Sequence, residues 1–204
     1  YAPDATASIS SSGVLTVSAG GKTTSVSLTG TYEAGPVVLS EDENGGTEME
    51  SCFLADTLIH TPRGLVPVQF LRRGDPVLAR DWRNGRDEPR VLTWAGAQKC
   101  RVRPGLPDDE AGWPVRIVKD AIAPGQPYKD LLVTAEHCLF FNGAFIPVRM
   151  LVNSRSIFFD RTRTSYTYYH IETAEHCVIR ADGVLTESYL DTGNRGSFRQ
   201  DGTV

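Results

Sequence analysis

The chain has 204 residues, 21 Lys+Arg against 25 Asp+Glu, a formal net charge of −4 and 40% apolar residues. That length allows one medium domain with an appendage, or two small domains. No apolar run approaches the roughly 18–20 residues that span a bilayer, and the charge balance gives no reason to expect nucleic acid or an anionic membrane as a partner.

The charge is unevenly divided. Residues 1–51 hold one basic residue, Lys22, and seven acids, a balance of −6; residues 52–204 carry +2. All four Cys, all four His, all three Trp and all eight Phe lie after Ser51. The start, Tyr1-Ala2-Pro3-Asp4, has neither a basic beginning nor an apolar h-region. It reads as a fragment or processed form, with any export signal upstream and a secreted or cell-surface address. Gly13–Ser18 and Thr24–Thr29 alternate apolar with small polar residues around Gly20-Gly21, a hairpin pattern, and Pro36–Leu39 is a third strand candidate. The acidic run 41–46 reads as a turn or flexible link. So small and polar a segment cannot bury a good core alone. It is expected to be the end of a larger β-rich passenger.

From Cys52 onward, short strands are predicted at 57–61, 65–68, 76–79, 115–118, 131–133, 138–141, 144–148, 166–172, 176–180 and 184–190. Residues 82–114, with several prolines and charges, read as a long excursion of lower order. Only 67–71 offers a short helix. The class is all-β. Thr134-Ala135-Glu136-His137-Cys138 recurs as Thr173-Ala174-Glu175-His176-Cys177, thirty-nine residues on. Asn142-Gly143 follows the first copy and Asp182-Gly183 the second, so two related β-units are expected.

A Cys at a composition border, with a Thr-x-x-His downstream, points to a specific reaction. A thiolate can attack the carbonyl on its own N-terminal side and convert that amide into a thioester. The step needs the amide polarised and its departing nitrogen protonated. A hydroxyl and an imidazole beside the bond supply both, since His exchanges protons near neutral pH.

Cys52-Phe53-Leu54-Ala55-Asp56-Thr57-Leu58-Ile59, with Gly74-Asp75-Pro76-Val77-Leu78, resembles the opening block of the Hint (Hedgehog/intein) superfamily. Leu131–His137 is similar to its second block, the one bearing Thr-x-x-His. Tyr169-His170-Ile171-Glu172 through His176 and Gly183-Val184-Leu185 resembles the late block of inteins. The flavour is that of bacterial Hint-type domains at the ends of secreted proteins. The resemblance implies a pseudo-two-fold disk of many short strands over 52–204, preceded by an extein-like segment 1–51. It also implies roles: Cys52 as nucleophile, Ser51 as the residue whose carbonyl is attacked, and Thr134 and His137 as the groups acting on the scissile amide. His176 would support resolution of the intermediate, and His170 stands where inteins often carry a catalytic Asp. Because i and i+3 face opposite sides of a regular strand, the backbone must bend at Ala135-Glu136 if Thr134 and His137 are both to reach Cys52.

The departures narrow the expected reaction. Inteins end in His-Asn, whose Asn cyclises; here the matching place reads Thr186-Glu187-Ser188, so splicing is not expected. Too few residues follow Asn194 for a sterol-recognition region. What remains is single-turnover cleavage at Ser51–Cys52, the thioester being resolved by water or another nucleophile. The chain's own N-terminal segment would be the substrate, the protein a monomer, and no cofactor is called for. The other reading is an inactive Hint-like interaction or export-associated module. Cys138 and Cys177 are expected in the core rather than in a metal site, because neighbours on a strand point to opposite faces. His60 is expected to be structural or exposed.

Overall fold

The computed structural model describes residues 6–19, 22–27, 35–37, 52–108, 110–189 and 198–200; the acidic stretch 41–46 and Ser51 lie outside them. Four strands precede the domain: β1 (Thr6–Ile9), β2 (Val14–Ala19), β3 (Lys22–Ser27) and β4 (Gly35–Val37). They form one antiparallel sheet in the order β3-β2-β1-β4. The period-two alternation sends Leu15 and Val17 inward while Thr16 stays half-buried. With Ile9, these two belong to the same apolar cluster as Phe53, Ile59 and Leu131 of the following domain.

The domain opens with β5 (Phe53–Leu54), β6 (Leu58–Thr61), β7 (Gly64–Pro67), a 3-10 turn at Val68–Phe70, β8 (Pro76–Asp81) and β9 (Arg86–Arg101). It continues through β10 (Val115–Ile117), β11 (Leu131–Val133), β12 (Cys138–Phe141), β13 (Ala144–Pro147) and a second 3-10 turn at Val148–Leu151. It closes with β14 (Ile157–Phe159), β15 (Ser165–Thr173), β16 (Val178–Ala181), β17 (Val184–Glu187) and β18 (Arg199–Gln200). All the strand pairs are antiparallel, and the described residues contain no α-helix.

The predicted excursion at 82–114 is a correction, because it contains the longest strand described. Arg86–Val91 of β9 is exposed along its whole length and pairs with β8; the rest pairs with β15 from Leu92↔Thr173 to Arg101↔Ser165. Backbone pairing makes the first half a strand without burying a face, so no apolar alternation marks it. One strand thus holds the two parts of the sheet together.

Residues 53–71 and 133–151 carry the same succession of elements at a constant offset of 80. Hairpin β6–β7 with its 3-10 turn matches hairpin β12–β13 with the second. Backbone bonds repeat with them: Thr57 N–H to Leu54 O at 3.4 Å and Val68 N–H to Thr57 O at 2.8 Å, then His137 N–H to Thr134 O at 3.2 Å and Val148 N–H to His137 O at 2.9 Å. Phe53 pairs directly with Val133, its equivalent. An antiparallel pair of equivalent residues is what a two-fold axis requires. Only Ala55/Ala135, Pro67/Pro147, Val68/Val148 and Leu71/Leu151 are identical across this relation. The five-residue repeat at spacing 39 is a more local likeness, each copy being a turn that leads into a hairpin, β12–β13 or β16–β17. Asn142-Gly143 and Asp182-Gly183 close these hairpins with positive φ at both residues, 41° and 103°, then 47° and 89°.

Candidate active site

Cys52 stands immediately before β5, which is inserted between β11 and β15, so the two neighbouring strands set its surroundings. On the β11 side the ladder continues past Val133: Thr134 N–H donates to the Cys52 carbonyl at 2.9 Å. The Thr134 hydroxyl accepts the Cys52 N–H at 2.8 Å and points its own hydrogen toward the Cys52 carbonyl at 3.4 Å. Thr134 is therefore held on the nitrogen of the Ser51–Cys52 peptide bond. Beyond it the chain leaves the strand, with Ala135-Glu136 forming the turn that the spacing of Thr134 and His137 demands.

On the β15 side, His170 Nε2 lies 2.7 Å from Cys52 Sγ. Both residues are buried, Cys52 fully and His170 at 2% exposure. Burial first, and the charge of His137 second, hold the His170 imidazole well below its usual pKa. It is neutral at pH 7, so its ring nitrogen can accept the thiol proton. His170 is placed there by register, opposite Gly96 of β9. Trp94, Tyr189 and Phe198 form a small apolar cluster with Cys52, and Tyr168 packs against it. The aromatic rings also stand on His170, with centroids 4.4 Å away for Tyr189, 4.9 Å for Phe198 and 6.4 Å for Trp94.

His137 is buried with its ring 4.3 Å from that of Phe53 and its Nε2 hydrogen-bonded to Thr186 Oγ1. The Thr186 hydroxyl spends its one hydrogen on the Cys138 carbonyl at 2.7 Å. It must then accept from His137, so Nε2 carries the hydrogen of that bond. In the sequence, Thr186 marks only a place lacking the intein Asn; the structure gives it a role in orienting His137. Trp94, Tyr168, Tyr189 and Phe198 carry no signal in the sequence, because no spacing or motif ties an aromatic on β9, or one near the chain end, to Cys52.

His176 is not brought into this group. It sits in the turn before β16, with Nε2 3.5 Å from Glu187 Oε2 and its ring 4.8 Å from that of Phe145. The other Glu187 oxygen accepts the Cys138 N–H at 2.7 Å. Cys138 and Cys177 are half-buried with free thiols; burial and the Glu187 carboxylate push the Cys138 thiol far up, out of the reactive range. His60 lies on β6, half-buried, its imidazole lowered by burial and by Arg180.

Asp182, at the tip of hairpin β16–β17, ties this part to β6. Its N–H donates to the Leu58 carbonyl at 2.9 Å, its Oδ1 accepts the Leu58 N–H at 3.2 Å, and Lys129 Nζ stands 3.5 Å away. Burial raises the carboxyl nonetheless, the Leu58 and Lys129 contacts only partly offsetting it.

The sequence profile of the Hint domain family matches residues 51–193. Among solved structures, the bacterial intein-like domain from Clostridium thermocellum superposes with a TM-score of 0.50 at 13% identity, covering 68% of this chain and 99% of that one. A Ssp DnaB mini-intein variant gives a TM-score of 0.50 at 9% identity, covering 72% of this chain and 100% of that one. At such identities these likenesses speak to the fold. A search of curated proteins finds no match.

Proposed function

The chain belongs to the Hint domain family, and from that premise we propose that it cleaves itself once between Ser51 and Cys52 by an intramolecular N-to-S acyl shift. The observation that carries this reading is the pair of contacts made by one residue at the composition border: Cys52 Sγ on His170 Nε2, and Cys52 N–H on the Thr134 hydroxyl. The thiol proton passes to neutral His170, the sulfur adds to the Ser51 carbonyl carbon, and the C–N bond breaks. The Cys52 nitrogen gains a proton and leaves as an amine. Thr134 holds that nitrogen in place, and His137, at the end of the same turn, is the acid that serves it. Water then adds to the thioester carbonyl, the C–S bond breaks, and the sulfur recovers a proton. The products are a carboxylate at Ser51 and a new N-terminal Cys52 with its thiol restored.

Cleavage ends there, without splicing, because Thr186-Glu187-Ser188 offers no Asn to cyclise. Residues 1–51 are the substrate and the end of a β-rich passenger, and the protein is secreted or displayed at the cell surface. No metal or cofactor enters any of these steps.

Purified parent chain treated with dithiothreitol should give a fragment with the mass of residues 52–204, because a thiol intercepts a thioester and leaves an ordinary peptide bond alone. Cys52→Ala should accumulate as intact precursor. A Cys52→Ala chain cut as fast as the parent would rule the mechanism out.

A further inference from the structure

Cys52 is fully buried, and part of what buries it comes from far along the chain. Phe198 is 6% exposed and lies edge-on to His170, with centroids 4.9 Å apart and planes at 69°. It is also perpendicular to Trp94 at 5.2 Å and to Tyr168 at 6.0 Å. The next two residues, β18, add to β9 at Ala97 and Gly96, the latter being the residue that pairs with His170. The matched family region ends at residue 193, before Phe198 and β18. Gly96 shows how closely the parts fit. A Cβ built there would lie 2.4 Å from two atoms of the Trp94 ring and 3.0 Å from Phe198 Cβ. Only a residue without a side chain lets Trp94 fold over β9 and Phe198 settle beside it.

We propose that residues 198–200 form a closing strap whose Phe198 decides which nucleophiles reach Cys52. Three aromatic walls of the compartment, Trp94, Tyr168 and Tyr189, come from the body of the domain, and Phe198 is the fourth. The acyl shift is internal and needs no entry path, so it runs with the strap seated. Resolution is different: an external water, thiol or amine has to enter the compartment that Phe198 helps to close around Cys52. The strap thereby keeps the thioester from adventitious nucleophiles and makes its departure the step that admits one. A two-residue strand on a sheet edge is a light attachment, suited to leaving and returning.

The strap rests on the proposed chemistry only for its consequence, so access is measured separately from cleavage. Iodoacetamide labelling of the folded chain, read by peptide mass mapping, reports on Cys52 directly, with Cys100, Cys138 and Cys177 as internal references. Phe198→Ala should raise the Cys52 labelling rate about tenfold or more at unchanged reference rates, and dithiothreitol cleavage should quicken in proportion. Phe198→Leu, which keeps an apolar contact, should fall between the two. Equal Cys52 labelling in parent and Phe198→Ala overturns the strap. If all four cysteines label faster together, the variant has loosened globally and the strap is overturned as a local device. If Cys52 alone labels faster while neither chain is cut by thiol, the strap stands and the self-cleavage reading fails.

Discussion

Two turns of this molecule have the same five residues and do different things. In Thr134–Cys138 the Thr hydroxyl accepts the Cys52 N–H, and the His is buried against Phe53 with Nε2 on Thr186. In Thr173–Cys177 the Thr hydroxyl donates to the Glu175 carbonyl at 2.5 Å within its own turn, and the His stands by Glu187 at the surface. The difference lies in the strand that each turn meets. The first turn extends β11, whose neighbour is β5 and therefore Cys52; the second ends β15, which meets β5 at Tyr168↔Leu54 and Tyr169↔Phe53, several residues before the turn. A chemical motif acquires a role from its strand partner, and an identical motif without that partner becomes an ordinary hairpin entrance.

Paired substitutions can break this comparison. The largest contrast is expected at the imidazoles: His137→Ala should slow thiol-induced cleavage by about 100-fold, the scale of a lost acid–base group. His176→Ala should stay within about twofold of the parent, as a surface substitution does. Comparable losses in a gel-based time course would mean that the two turns share the work. Next come the hydroxyls. Thr134→Ala should lower the cleavage rate about tenfold, the value of one buried hydrogen bond on the reacting amide. Thr173→Ala should leave the rate alone and cost about 1 kcal/mol in a urea melt.

Smaller effects are expected at the hairpin tips. Gly143 and Gly183 both have positive φ, so alanine at either should cost about 1–2 kcal/mol. Gly183→Ala should cost more than Gly143→Ala, because its Cβ would meet Tyr128 Cδ1 at 2.9 Å and the Gly125 carbonyl at 3.0 Å. Thermal unfolding of the two variants reads the order. The smallest effect is on pH dependence. His170 is depressed in the folded chain, so below about pH 6.5 the unfolded chain binds a proton that the native one refuses. Stability should therefore fall as pH drops from about 7.5 to about 5.5, and His170→Gln should fall less. Equal slopes would place the buried neutral imidazole in doubt.

The strands that alternate or run apolar are legible in the sequence: 58–61, 76–81, 131–133 and 138–141 lie within a residue or two of where patterning puts them. Exposed β9 is not, because nothing but backbone pairing makes it a strand. Cys52 and the Thr-x-x-His turn that meets it are carried by local chemistry. The Cys52–His170 contact shows only as a weak correspondence, since it depends on the register of β15 against β9, which no local pattern encodes. The 80-residue relation escapes notice because four identities in nineteen positions do not announce themselves, while a five-residue identity at spacing 39 does.

Phe53 facing Val133 has a consequence for how the domain is put together. In a symmetric dimer, the residue on the dyad meets its own copy from the other subunit. Here the two copies belong to one chain and differ in sequence: Leu54 stands where the other half has Thr134, and Thr57 where it has His137. The thiol comes from one half and the hydroxyl that holds its amide from the other. Neither half holds the candidate site by itself; Cys52 and Thr134 meet only at the seam between the two.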